Sequence, residues 1–184
     1  RGQDLMRTVG DIVVQYKKVI KEFPDYKGRI YVNIDDTGLG GGVTDRLREV
    51  KREQKLNRLY VIPINAAEKI ETDSKEGRDA AEHYNNLTTH MWAVLKELLE
   101  NKEIEIENED ETFGQLSSRK YFLASNGKLE LESKKEMKKR GLDSPDRADA
   151  AALSTYLGKI KKYTGSAPGS TAVKELTKEN YWGQ

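Results

Sequence analysis

The 184-residue chain contains no cysteine, which excludes a disulfide scaffold, a thiol nucleophile and a Cys-ligated zinc site. Its two histidines, His83 and His90, are too few for a His-rich metal centre. No apolar run approaches the ~20 residues that a membrane-spanning helix needs. No signal peptide is recognisable either, so the composition predicts a soluble, cytoplasmic protein. Neither charge dominates: 32 Lys and Arg against 31 Asp and Glu leave a net charge of +1. Bulk charge therefore points neither to a nucleic acid nor to an acidic ligand. There is no Gly-x-x-x-x-Gly-Lys-Ser/Thr segment, which removes a Walker-type ATPase, and no internal repeat.

What is present is a wet but foldable chain, 36% hydrophobic and 34% charged, whose apolar residues recur periodically. Leu5, Val9, Ile12, Val13, Tyr16, Val19 and Ile20 carry the spacing of an amphipathic helix over 4–22, closed by Pro24. The β-formers of 29–34 and of 59–64 read as strands, with a helix over 43–53 between them. Short links of this kind favour a parallel pair with a right-handed crossover. Residues 66–78 read as a polar loop and 78–100 as one long helix, with Tyr84, Leu87, Met91, Leu95 and Leu98 along one face. The acidic stretch 101–111 reads as a solvated face, although Ile104 and Ile106 alternate as in a short strand. Ser125-Asn126-Gly127 between 119–124 and 128–132 is a hairpin signal. Ser133 and Glu136 form a capping box for a short basic helix ended by Gly141. Ser144 and Pro145 stand as N-cap and first residue of the next helix. We expect one domain over 1–157 and a linker-like tail over 158–184.

Two acid clusters carry candidate chemistry. Asp35 and Asp36 end the first strand, where α/β sheets bind ligands, and strand alternation sends them to opposite faces. Asp35 then shares a face with Tyr31 and Asn33; a turn-forming, helix-capping Asp is the alternative. Asp146 and Asp149, three apart, share the face of a helix's first turns, where acids also favour the helix dipole. The small residues at 148 and 150–152 would let that helix lie close to a sheet. Together the clusters are the parts of a two-metal phosphodiesterase using a hard divalent cation. Basic runs fit a phosphate-backbone partner: Arg46, Arg48, Lys51 and Arg52 after the glycines, and Lys134, Lys135 and Lys138 in the short helix. Gly38, Gly40, Gly41 and Gly42 offer a looser alternative, a phosphate cradle at a helix N-terminus.

Ile34-Asp35-Asp36-Thr37-Gly38-Leu39-Gly40-Gly41-Gly42, then Val61-Ile62-Pro63-Ile64-Asn65 and Tyr84-Asn85-Asn86 before Met91-Trp92, resemble the nuclease domain of phage terminase large subunits. Gln115-Leu116-Ser117-Ser118-Arg119-Lys120-Tyr121, Leu131-Glu132-Ser133-Lys134-Lys135-Glu136 and Ser144-Pro145-Asp146-Arg147-Ala148-Asp149 continue the series over about 1–156. The resemblance implies an α/β, ribonuclease H-like mixed sheet flanked by helices. It implies an endonuclease that cleaves concatemeric double-stranded DNA during genome packaging, with Mg²⁺ or Mn²⁺ in a two-metal site. By position, Asp35 matches the metal-binding acid of the central strand, and Asp146 and Asp149 match the acids of the final helix, either of which could be the direct ligand. Asp36 is a further candidate, where relatives often have a small or polar residue. Terminase small subunit and portal are the implied partners, and the bacterial host cytoplasm the implied compartment. The resemblance also implies preceding strands, the first bearing a catalytic Asp, and this chain starts at the helix that follows them. We therefore expect a fragment, weak or inactive alone, with a sheet edge exposed or paired with another copy. The alternative is a non-catalytic module that binds DNA or a packaging partner.

Overall fold

The computed structural model describes residues 4–37, 40–66, 68–106 and 108–156. Helix α1 (Leu5–Glu22) begins at Asp4, whose carboxylate accepts the Met6 N–H at 3.1 Å. Its buried stripe is Val9, Val13 and Tyr16, at steps of four and three that place them on one face. Strand β1 (Ile30–Asp35) runs parallel to β2 (Leu59–Ile64), in register from Ile30 opposite Leu59 to Asp35 opposite Ile64. Helix α2 (Gly40–Glu53) connects them. Val9, Val13 and Tyr16 of α1 meet Val43, Leu47 and Val50 of α2 over Ile34 and Leu59. That core covers one face of the pair.

Gly40, Gly41 and Gly42, expected in the turn before a helix over 43–53, already form the first turn of α2. A Cβ on Gly40 would lie 1.8 Å from the Asp35 carbonyl oxygen, and one on Gly42 would lie 3.0 Å from Leu5 Cδ1. Close packing of helix start against strand end is what demands a residue without a side chain at position 40.

The segment 66–78, expected as a loop, already turns helical at Lys75. Helix α3 (Lys75–His83) is capped by Ser74, which accepts the Gly77 N–H at 2.9 Å. The long helix expected over 78–100 is broken in two, because α4 (Leu87–Glu100) has its own N-cap in Asn86, which accepts the Thr89 N–H at 2.8 Å. Tyr84 is extended between them and bridges to Leu129, and Asn85 N–H donates to the Leu129 carbonyl at 2.9 Å. Capping and a long-range backbone bond override a continuous apolar period.

No strand forms at Ile104 and Ile106; Ile104 packs on the core, and helix α5 (Asp110–Ser118) follows. The hairpin appears where expected but is short: β3 (Tyr121–Leu123) pairs antiparallel with β4 (Leu129–Leu131), and Gly127 sits at φ +76°. Helix α6 (Lys134–Lys139) has the expected Ser133–Glu136 capping box and gives way at Gly141, φ +78°. Helix α7 (Asp146–Ser154) starts one residue later than expected, so Pro145 occupies the cap position and Ser144 lies outside it. Its first N–H groups are served from another helix: Gln115 Oε1 of α5 accepts Arg147 N–H at 2.9 Å and Ala148 N–H at 3.1 Å.

The second face of the parallel pair carries α7, with α4 packed outside it. Ala148 and Ala152 are 0% and 1% exposed against Ile64, Met91, Trp92 and Leu95, so the small-residue face does let α7 lie close. Asn33 fixes the far end of α7, its Nδ2 donating to the carbonyls of Leu153 and Tyr156. The region expected as a tail begins beyond the described residues, as do the sequence features within it.

Candidate active site

Asp35, at the C-terminal end of β1, and Asp146 and Asp149, on the first turns of α7, line one cleft of about 390 Å³. Thr37, Thr88, Trp92, Arg119 and Lys134 share its wall. The sheet edge supplies the first carboxylate and a packed helix the other two, as expected for a ligand site at strand ends. Thr37 turns back on Asp35: its N–H donates to Asp35 Oδ1 at 3.1 Å and its hydroxyl to the same oxygen.

Asp149 is the most constrained of the three. Its Oδ1 accepts the Trp92 indole N–H at 2.9 Å and Arg119 Nη1 at 2.7 Å. The Arg119 guanidinium also stacks over the Trp92 ring, 4.9 Å from its centre, and its side chain is 6% exposed. Lys134 Nζ stands 2.7 Å from Asp149 Oδ2 and 3.5 Å from Asp146 Oδ1. Asp146, 64% exposed at its side chain, also accepts the Ser144 hydroxyl at 2.5 Å.

Asp36 diverges from Asp35, as alternation requires. Its Oδ1 accepts the Thr44 hydroxyl at 3.1 Å over the start of α2, and it does not line the cleft. The basic residues of α2 stand on the helix that covers the opposite sheet face, interleaved with acids. Arg46 pairs with Glu49 at 2.8 Å and Glu53 at 3.3 Å, and Arg48 with Asp45 at 3.6 Å. Lys51 lies over the Tyr60 ring at 4.7 Å, and Arg52 is exposed. Of the basic residues singled out in the sequence, Lys134 alone lines the cleft, while Lys135 and Lys138 are exposed on α6 beside it.

Arg119 and Trp92 are the site residues that sequence reasoning passed over. Behind them, Glu132 is buried and ties α6 to the hairpin; the Arg140 guanidinium bonded to it holds its carboxyl below the usual range. Among the described residues no group of three or more His, Cys, Asp or Glu side chains is arranged to hold a metal ion. Two hard carboxylates, Asp146 and Asp149, nevertheless flank the Lys134 ammonium, the kind of oxygen donor a divalent cation takes.

The architecture is α/β, with helices on both faces of a parallel pair and carboxylates lining a cleft at the strand ends. The same fold is found in the nuclease domain of the large terminase subunit gp2 of bacterial virus Sf6. That structure is 19% identical, with a TM-score of 0.52 over 68% of this chain and 64% of that one. A mutant of that domain with manganese gives 19% identity and a TM-score of 0.54 over 68% and 65%. A mutant with calcium gives 19% and 0.53 over 68% and 64%. This chain thus spans less than two thirds of those structures. No protein-family profile and no curated protein sequence matches it.

Proposed function

We propose that this chain is the metal-dependent endonuclease domain of a phage terminase large subunit, cutting double-stranded DNA with Mg²⁺ or Mn²⁺. The observation that carries the reading is the convergence of Asp35, Asp146 and Asp149, distant in sequence, on one cleft beside Lys134. These three carboxylates are the proposed ligands; Asp36, turned to Thr44, is not among them. When bound, divalent ions supply a lowered water pKa and charge stabilisation at the leaving oxygen.

The chain's own residues do the rest. Arg119 and Trp92 orient Asp149. Lys134, half exposed, would leave Asp149 and Asp146 to a bound cation and would be free to contact the scissile phosphate. Lys135 and Lys138 extend that phosphate contact along α6. The ion-paired arginines of α2 contribute less, because their charge is already compensated. The implied setting is genome packaging, with a terminase small subunit and a portal as partners.

A second reading, a DNA- or partner-binding module without cleavage, is favoured by the saturation of Asp149 by Trp92, Arg119 and Lys134. Incubating the chain with supercoiled plasmid in Mn²⁺, Mg²⁺ or EDTA separates the two. Nicking that requires the metal supports the nuclease. DNA binding in EDTA with no cleavage in either metal supports the module.

A further inference from the structure

The β3–β4 hairpin grows directly out of the cleft wall. Arg119, two residues before β3, and Lys134, three residues after β4, each hold Asp149 at 2.7 Å. Both legs of the hairpin are thereby anchored on the same carboxylate. Side chains alternate along a strand, so a strand lying on a core hides one set of them. Strand β3 hides neither: Tyr121 is 61%, Phe122 46% and Leu123 62% exposed. At about 3.3 Å per residue, Leu123 lies roughly 13 Å along the chain from the cleft residue Arg119.

The surroundings of this apolar strip are cationic. Residues 119–140 hold eight Lys and Arg against three Glu; Arg119, Lys134 and Arg140 are ion-paired, while Lys120, Lys135, Lys138 and Lys139 are exposed. Each of those acids is engaged: Glu130 accepts Asn85 Nδ2 at 2.8 Å, Glu132 binds Arg140, and Glu136 closes the α6 capping box. The partner that fits is a polyanion that also offers apolar surface. Phosphates satisfy the cations but give nothing to Tyr121, Phe122 and Leu123. The base faces and sugar edges of a duplex groove do, and apolar side chains inserted there part a base step.

We propose that β3 is a wedge that enters a DNA duplex lying over the cleft and opens a base step beside it, while the flanking cations hold the backbone. This inference rests on the nuclease reading above.

The test uses the intact chain in EDTA at low salt, with fluorescence anisotropy on a paired duplex and on the same duplex carrying a central two-base mismatch. Opening a mismatch costs less, so wild type binds the mismatched duplex about fivefold more tightly. Tyr121→Ser/Phe122→Ser/Leu123→Ser, which alters exposed side chains and keeps the wild-type melting curve, erases that preference and weakens binding. Lys135→Glu/Lys138→Glu weakens both duplexes equally and keeps the preference. Equal binding of the two duplexes by wild type, or a serine variant that binds as wild type does, overturns the wedge and leaves the nuclease reading standing. Self-association of wild type that the serine variant abolishes, without change in DNA binding, assigns the strip to a second copy and also overturns it. Failure of wild type to bind either duplex removes the wedge and the nuclease reading together.

Discussion

The indole N–H of Trp92, on α4, donates to Asp149 Oδ1, on α7, at 2.9 Å. This bond joins the apolar core to the cleft, since Trp92 is 8% exposed and packs in the same cluster as Leu95 and Ala152. Arg119 reinforces it from the base of the hairpin. One carboxylate therefore ties together α4, α7 and the hairpin, and the cleft geometry depends on all three.

Trp92→Phe keeps an aromatic ring in the core, removes the donor and leaves the space of the indole's second ring unfilled. A hydrogen bond to a charged group contributes about 1.5–3 kcal/mol, so we expect a loss of at least roughly 2 kcal/mol in urea unfolding. Metal-dependent cleavage falls with it, because Asp149 loses one of its two orienting donors. A variant as stable as wild type contradicts this role.

Lys134 competes with a metal ion for Asp146 and Asp149. Two unit charges 4 Å apart interact by ~4 kcal/mol at an effective dielectric of about 20. Lys134 is half exposed, and solvent screening reduces that figure. We expect Lys134→Met to tighten Mn²⁺ binding roughly tenfold, read by electron paramagnetic resonance titration, while lowering DNA affinity. Weaker Mn²⁺ binding in this variant would show that Lys134 helps to assemble the metal site.

Gly40→Ala places a Cβ 1.8 Å from the Asp35 carbonyl, against backbone that has no room to yield. Overpacking of this kind costs about 1–3 kcal/mol. The displaced atom belongs to a cleft residue, so cleavage drops further than stability alone accounts for. Gly114→Ala, where an added Cβ meets nothing within 4 Å, is the matched control.

His90 is buried beside the Tyr84 ring, and burial lowers its pKa from 6.5 to about 4. The unfolded chain therefore binds the extra proton first as pH falls. The stability this gives is complete above about pH 6.5 and is lost progressively down to pH 4, by roughly 3 kcal/mol in all. Thermal unfolding between pH 4 and 7 should show this slope in wild type and a flatter one in His90→Leu.

Elements with local signatures were legible in the sequence: the stripe of α1, the β-rich runs of β1 and β2, the Asn126-Gly127 turn and the Ser133–Glu136 box. The break at Tyr84-Asn85-Asn86 was less so. It depends partly on a backbone bond to Leu129, far along the chain, that no local period encodes. The approach of Asp35 to Asp146 and Asp149 followed from strand-end logic and from the motif series. Their partners did not, because a tryptophan on an apolar helix face reads as core, and only tertiary packing aims its N–H at Asp149. The pairing of the α2 arginines with Asp45, Glu49 and Glu53 was visible in principle at helical spacing, and it tempers the basic run.

The central claim is that Asp35 serves metal-dependent DNA cleavage while its neighbour Asp36 does not. The direct measurement is a plasmid-nicking time course in Mn²⁺ with wild type, Asp35→Asn and Asp36→Asn side by side. The account predicts metal-dependent nicking by wild type, loss of at least about a hundredfold in Asp35→Asn, and near wild-type rates in Asp36→Asn. Nicking by Asp35→Asn at the wild-type rate would contradict it, whereas no nicking by any folded form would favour the non-catalytic module.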